Sequence, residues 1–187
     1  AAVVGPISGV LTSHPAASLP GANTPGTLRA VDLGQHGSGN LGATNGVRGL
    51  GARTGAFVFI AELLKGFLPV YFLPRYAETL RPEMWALIFG AAAILGHVKP
   101  IFLLWKGGGK GVATATGVFL ALAFVPMLVS EVVWIFTFYF TRYVSLASLL
   151  GAAVLPIAIL VWHPGPQSPV FIASVIIALF VFWTHRT

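Results

Sequence analysis

The stretch GAFVFIAELLKGFLPVYFL, residues 55–73, decides the fold class. It is apolar throughout except for one acidic and one basic side chain, Glu62 and Lys65. A helix needs about 20 mostly apolar residues to cross the hydrocarbon core of a bilayer. Because the run is continuous and does not alternate with polar residues, it predicts a transmembrane helix and not a strand of a membrane barrel.

The composition of the whole chain supports the same fold class. Of the 187 residues, 56% are hydrophobic and only 9% are charged, whereas soluble domains carry about 25% charged residues. Cysteine is absent, which excludes disulfides and thiolate metal sites. The net charge of +6 would suit nucleic acid in a soluble protein. In a membrane protein the positions of the charges matter more, and we expect no nucleic-acid partner.

Apolar runs along the rest of the chain predict an all-α, polytopic integral membrane protein. We expect six clear spans, the third of them short and either tilted or partial: 55–73, 84–98, 111–124, 127–140, 144–162 and 170–183. Prolines mark the predicted turns, namely Pro126, Pro164, Pro166 and Pro169.

The first 34 residues are the least readable part of the sequence. Residues 1–11 are apolar but short and broken by Pro6, and residues 12–30 are rich in Pro, Gly, Ser and Thr. Two interpretations stay open for residues 1–34, a degenerate first membrane helix or an irregular surface segment. Residues 35–187 are expected to form a single membrane-embedded domain.

Basic residues divide unequally between the two sides that these spans define. One side has only Arg75 and Arg81, whereas the other side has Arg29, Arg48, Arg53, Lys99, Lys106, Lys110, Arg142 and Arg186. Loops rich in Lys and Arg stay in the cytoplasm. The richer side is therefore predicted to face the cytoplasm.

Two glycine-rich polar segments lie on this basic side, HGSGNLGATNGVRGLG at 36–51 and KGGGKGVATATG at 106–117. Glycines let backbone N–H groups converge on an anion, and a helix N-terminus adds partial positive charge. The second segment lacks the GxxxxGK[ST] spacing of a nucleotide-binding P-loop, which excludes that class. We expect the two segments to bind phosphate groups through Gly37, Ser38, Gly39, Asn40, Thr44, Asn45, Arg48, Gly108, Gly109, Lys110 and Gly111.

Other polar residues and glycines in or near the spans leave two interpretations open. Glu62 and Lys65 either neutralise each other as an ion pair or lie beside the glycine segments and help to position them. His97 is expected to be a structural hydrogen-bonding residue, and Glu131 has no assigned role. The glycines inside spans are expected to serve close helix packing, namely Gly90, Gly117 and Gly151.

The sequence shows no catalytic or metal-binding arrangement of a common type. It has no HxxxH, HExxH or carboxylate cluster for a metal, and no evident Ser–His–Asp set, Asp32 being its single aspartate. A transferase that acts on an activated, phosphorylated substrate needs preorganised positive charge and amides instead. We therefore expect no metal and no cofactor.

Three motifs together resemble a known family. GSGNLGATN (37–45), GGKGVATATG (108–117) and RYVSLAS (142–148), with apolar spans between them, are similar to those of the bacterial acyl-phosphate:glycerol-3-phosphate acyltransferases. The similarity covers about residues 32–186. The resemblance implies seven transmembrane helices, an active site on the cytoplasmic side of the inner membrane, and synthesis of lysophosphatidic acid for phospholipids.

The resemblance also implies substrates and residue roles. Acyl phosphate and glycerol 3-phosphate would be the substrates, with membrane lipid around the chain and a monomer as a compatible state. Ser38 and Arg48 would bind one of the substrates, and Lys110 would bind phosphate. Ser148 matches an active-site serine and His185 a histidine near the family's C-terminus. The family has no conventional catalytic base, and phosphate of the substrate assists the reaction.

Three differences from the family pattern stand out. Residues 1–30 lack the usual first-helix sequence, the second motif has one glycine more than Lys-Gly-Gly-Lys, and the family sequence continues past the position of Thr187. The first and last differences are those expected of an incomplete chain. A competing hypothesis is an organophosphate transporter or binding protein, but transporters usually carry internal repeats, which this sequence lacks.

Overall fold

The computed structural model of the chain describes residues 11–12, 29–30, 43, 45, 47, 51–76, 81–100, 104, 108–162 and 165–186. Six helices follow one another in these ranges: α1 Ala52–Tyr76, α2 Pro82–Val98, α3 Val112–Leu122, α4 Phe124–Thr141, α5 Val144–Trp162 and α6 Pro169–Thr184. Each of the six predicted spans therefore falls on a helix, which confirms the helical fold class.

A two-residue strand pair is the departure from an all-α chain. β1 (Leu11–Thr12) pairs antiparallel with β2 (Arg29–Ala30), in a register that sets Leu11 opposite Ala30. Apart from these four residues, the segment 1–34, predicted as either a degenerate first helix or an irregular surface segment, lies outside the described ranges.

Three of the helices are long and apolar enough to cross a membrane. They are α1, α4 and α5, with 25, 18 and 19 residues. The other three described helices, α2, α3 and α6, are apolar but shorter. Large apolar side chains also cover the outer surface: Phe57, Ile88, Phe136 and Leu179, for example, are each at least half exposed. Such a surface suits lipid.

Of the six described helices, α3 is the shortest, with 11 residues, as its short apolar run predicted. It ends at Leu122, and α4 begins two residues later at Phe124. Pro126 was expected to mark this turn but lies in the first turn of α4. Proline is tolerated there because the first N–H groups of a helix have no partner within it. The break between the helices is at Ala123.

The six helices form two groups of three. α1 packs mainly on α2 and α3, whereas α5 packs mainly on α4 and α6. Thinner contacts of α3 with α4 and α6, and of α2 with α6, join the groups. The buried core includes Val118 and Phe119 of α3 together with Ile159 of α5. The space between the groups is therefore only partly filled.

Two glycines allow α1 and α3 to meet at their backbones. A Cβ on Gly66 would collide with the carbonyl oxygen of Thr114, and a Cβ on Gly117 would collide with that of Leu63. The packing role predicted for Gly117 is thereby confirmed. A Cβ on Gly90 would also crowd Val118, at 2.7 Å, whereas one on Gly151 would make only ordinary contacts of 3.4 Å or more.

Candidate active site

A cavity of about 800 Å³ lies between the two groups of helices. Its mouth is formed by helix ends that the sequence placed on the basic side: the start of α1, the end of α2, the start of α3, the end of α4, the start of α5 and the end of α6. Its deeper wall is mostly apolar, with Phe119, Met127, Leu155 and Ile177. The cavity thus combines a polar, basic mouth with an interior that is mostly apolar, with a few polar side chains such as Thr116 and Glu131.

The described part of the second glycine segment packs directly on the end of α2. A Cβ on Gly108 would collide with the carbonyl oxygen of Val98, and one on Gly109 would collide with the imidazole of His97. The Gly109 N–H also donates to the carbonyl oxygen of His97, at 3.3 Å. This amide was predicted to bind phosphate, but here it is committed to α2. Gly108 and Gly109 support the turn and do not line the cavity.

The turn delivers a lysine and a helix start to the cavity. Lys110 and Gly111 both line it. Gly111 has a φ of 78°, a left-handed conformation that favours glycine, and precedes the first turn of α3. Gly111, the N-cap residue, has no side chain with which to cap this helix start. The N-terminal amides of α3 and the Lys110 ammonium therefore present positive charge to the cavity.

His185 lies at the mouth, just beyond the end of α6. Its Nδ1 donates to the carbonyl oxygen of Val181 at 2.8 Å, so Nε2 of the neutral ring is the unprotonated nitrogen, a hydrogen-bond acceptor. Burial lowers the pKa of His185 below its ordinary value of 6.5, and the positive charge of Lys110 lowers it further, against the opposing effect of the Val181 bond. The imidazole is therefore neutral at pH 7.

Ser148 lies near the start of α5, in the same group of helices as His185. It is buried and lines the cavity. The indole Nε1 of Trp134 donates to its Oγ at 3.2 Å, so the Trp134 side chain on α4 fixes the orientation of the serine hydroxyl. Deeper in the cavity, Thr116 of α3 donates to Glu131 Oε1 of α4 at 3.1 Å.

The structure brings together part of the predicted set. Five predicted residues line the cavity: Asn45, Lys110, Gly111, Ser148 and His185. Six others lie outside the described ranges, namely Gly37, Ser38, Gly39, Asn40, Thr44 and Arg48. Asn45 is buried and represents the first motif at the cavity.

Sequence reasoning missed several residues of the cavity wall. Trp134 had no predicted role, and Arg142 was predicted only as a marker of sidedness and as the first residue of the third motif. Glu131 and Glu62 also line the cavity. The signal for the two glutamates was present, because an ionisable residue within an apolar span usually faces the protein interior or water. A signal was present for Trp134 too, because it lies in the middle of the predicted span 127–140, whereas the other four tryptophans lie near span ends or in a loop.

Comparison with known proteins identifies the family. The family model described as glycerol-3-phosphate acyltransferase matches residues 10–187. The glycerol-3-phosphate acyltransferase of Fusobacterium nucleatum subsp. nucleatum is 44% identical over 160 residues, which cover 86% of this chain and 79% of the relative. That of Geotalea daltonii is 43% identical over 156 residues, covering 83% of this chain and 77% of the relative.

Two solved structures have the same fold. Both are crystal structures of PlsY (YgiH), an integral membrane glycerol 3-phosphate acyltransferase. The glycerol 3-phosphate form has a TM-score of 0.74 and 36% identity, and it covers 83% of this chain and 76% of that one. The lysophosphatidic acid form has a TM-score of 0.70 and 35% identity, covering 80% and 74%. Motifs, fold and relatives agree, and the chain belongs to the glycerol-3-phosphate acyltransferase family.

Proposed function

We propose that this chain transfers a fatty acyl group from acyl phosphate to the sn-1 hydroxyl of glycerol 3-phosphate, which gives lysophosphatidic acid and phosphate. The observation that carries this proposal is the cavity, whose mouth holds Lys110 and His185 and whose deeper wall is mostly apolar. Both substrates carry phosphate, and one of them also carries a long hydrocarbon chain. A cavity with these two zones fits that pair of substrates.

Membership of the family supports the acyl acceptor and the product. The related PlsY structures are described in a glycerol 3-phosphate form and a lysophosphatidic acid form. The acyl phosphate donor rests on the motif resemblance and on the chemistry of the site. A mixed anhydride has a good leaving group, so the protein needs to supply mainly position and charge.

The proposed reaction breaks one bond and forms one. The sn-1 oxygen attacks the acyl carbonyl carbon, the carbon–oxygen bond to the phosphate breaks, and phosphate leaves with the electron pair. The hydroxyl proton passes to a phosphate oxygen of a substrate, so no protein base is required. Lys110 and the α3 N-terminus offset negative phosphate charge. Ser148, and His185 through Nε2, orient the reacting groups, with Ser38 and Arg48 completing the set in the first motif.

The same proposal gives the protein a location, the bacterial inner membrane with the cavity mouth toward the cytoplasm. The charge asymmetry supports this orientation, because Lys110, Arg142 and Arg186 lie at or near the helix ends around the mouth. Glycerol 3-phosphate is soluble and would enter from the cytoplasm.

Transfer of a labelled palmitoyl group tests the donor directly. Purified protein is given glycerol 3-phosphate with either palmitoyl phosphate or palmitoyl-CoA. We expect lysophosphatidic acid from palmitoyl phosphate alone. Product from palmitoyl-CoA alone would overturn the donor assignment. No product from either donor, with protein shown to be folded, would overturn the proposed function and favour organophosphate binding or transport.

Replacing Trp134 by phenylalanine is expected to slow the reaction without unfolding the protein. The change removes the N–H donor to Ser148 and keeps an aromatic ring. A hydrogen bond contributes about 1 kcal/mol, so we expect kcat to fall by about fivefold. Steady-state kinetics measure the change. Trp162→Phe is the matched control, because Trp162 is exposed at the end of α5.

The link between Trp134 and Ser148 can be separated from general damage. In a Ser148→Ala background, Trp134→Phe should have little further effect, because the acceptor of the indole N–H is already gone. Equal effects of Trp134→Phe in both backgrounds would show that the indole acts on something other than Ser148.

A further inference from the structure

A chain of side chains connects the two glycine motifs beneath the cavity mouth. Glu62 of α1 accepts a hydrogen bond from the backbone N–H of Ala43 in the first motif, and it interacts electrostatically with Lys65 one turn later. Lys65 Nζ in turn lies 3.1 Å from Nδ1 of His97. The imidazole of His97 touches Gly109 of the second motif. The steps from Lys65 to His97 and from His97 to Gly109 are direct contacts, whereas Glu62 and Lys65 are linked by charge.

The bond from Lys65 fixes the ring of His97. An ammonium group has three donors and no acceptor, so Nδ1 of His97 must accept and the neutral ring carries its proton on Nε2. His97 is also buried, which restricts its ring further. Both the orientation and the tautomer of the imidazole are thus set by a residue 32 positions earlier in the chain.

The ring of His97 determines where the glycine turn can lie. The space that a Gly109 side chain would need is occupied by Nε2 and Cε1 of this imidazole. The Gly109 N–H is bonded to the His97 carbonyl oxygen as well. Lys110 follows directly, and α3 begins after Gly111. A rotation of the ring would therefore shift the Lys110 ammonium and the α3 N-terminus together.

We propose that Lys65 is a positioning residue, which with Glu62 and through His97 holds Lys110 and the α3 N-terminus in place for substrate phosphate. The expected change in KM rests on the proposed function, whereas the expected change in the His97 ring does not. Simple neutralisation of Glu62 by Lys65 does not account for the contacts, because the Lys65 amine reaches His97 and the carboxylate of Glu62 is engaged by Ala43.

Replacement of Lys65 by methionine tests the proposal kinetically. Methionine keeps the length of the side chain and removes the donor. We expect KM to rise about tenfold for one phosphate substrate, because small displacements of a binding group cost up to about 100-fold in rate. Lys110→Arg, which misplaces the charge directly, should raise KM for the same substrate. A fall in kcat alone, or a rise in KM for the other substrate, would contradict the proposal.

Lys99→Met provides the matched control. Lys99 is an exposed lysine two residues after His97 and does not line the cavity. Lys99→Met removes one positive charge near the end of α2, as Lys65→Met does, but leaves the Lys65–His97 contact intact. Its KM values should therefore match those of the wild type. A rise in KM as large as that of Lys65→Met would assign the effect to net charge and not to positioning.

A compensating pair tests whether the contact between the ring and the turn transmits the effect. Gly109→Ala should displace the His97 ring and lower kcat/KM by about tenfold or more. His97→Asn keeps an acceptor where Nδ1 lies and removes the Nε2 and Cε1 atoms that a Cβ at 109 would meet. We therefore expect Gly109→Ala to cost much less in the His97→Asn background. Equal costs in both backgrounds would overturn the proposed contact.

Nitrogen-15 NMR of histidine-labelled protein supplies a readout that does not depend on catalysis. The wild type should show His97 as the Nε2–H tautomer, assigned by loss of its signal in His97→Asn. In Lys65→Met the tautomers should mix. An unchanged tautomer in Lys65→Met would refute the role of Lys65, whether or not the protein is an active acyltransferase. If the tautomer changes as expected but the wild type has no acyltransferase activity, the proposed function is wrong and the role of Lys65 stands.

Discussion

Lys110→Ala is expected to abolish acyl transfer while the protein stays folded in the membrane. Lys110 lines the cavity at the start of α3 and supplies positive charge where substrate phosphate is proposed to bind. Loss of one preorganised donor at a site of developing charge typically costs about 100- to 1,000-fold in kcat. The rate of lysophosphatidic acid formation from palmitoyl phosphate measures this loss.

The matched control for Lys110→Ala is Lys99→Ala, which removes an exposed lysine outside the cavity. Its turnover should remain close to that of the wild type. Both variants should extract into detergent and elute as the wild type does. Retained turnover in Lys110→Ala would show that the role implied for this lysine by the family motif does not hold in this chain.

Gly117→Ala is expected to cause the largest loss of stability among single methyl additions to the described helices α1 and α3. The added Cβ would collide with the Leu63 carbonyl oxygen and approach the Phe67 backbone nitrogen at 2.9 Å. Backbone atoms cannot rotate away as a side chain can, so the helices must separate. Overpacking of this kind costs about 3 kcal/mol. Thermal unfolding in detergent, followed by circular dichroism, measures the loss.

Gly96→Ala is the control for Gly117→Ala. Gly96 also lies in a helix, α2, but a Cβ there would meet nothing within 4 Å. Alanine favours helix over glycine by up to about 1 kcal/mol, so Gly96→Ala should be neutral or slightly stabilising. An unfolding temperature of Gly117→Ala equal to that of Gly96→Ala would contradict the close approach of α1 and α3.

The helices were the most predictable part of the fold. Continuous apolar runs bounded by proline and glycine gave the positions of all six to within a few residues, because burial in lipid requires such runs. The boundary between α3 and α4 was missed. Pro126 is compatible both with a turn and with the first turn of a helix, and local sequence does not distinguish the two.

The site was predictable where residues belong to motifs. Lys110, Ser148 and His185 are 75 positions apart at the extremes, yet the structure brings them to one cavity. Sequence could not show that Gly109 packs on His97 or that Lys65 reaches that ring. Those contacts depend on how α1, α2 and α3 pack, which no local pattern encodes. The roles of Ser38 and Arg48 stay predictions.

The glycine turn before α3 is level with the end of α2, on which Gly108 packs, but lies below the neighbouring ends of α1 and α4. Gly66 of α1 meets Thr114 of α3, and Gly117 of α3 meets Leu63 of α1. At 1.5 Å per residue these two contacts put the start of α1 about 8 to 16 Å beyond the level of Gly111. By the same count from the Thr116–Glu131 bond, α4 extends about 8 Å beyond it. Lifting a 16-carbon chain out of the bilayer would cost on the order of 10 kcal/mol, at about 0.8 kcal/mol per CH₂. A recessed turn avoids this cost, because the water-soluble substrate binds at the depth of the acyl chain and the acyl chain stays within the bilayer.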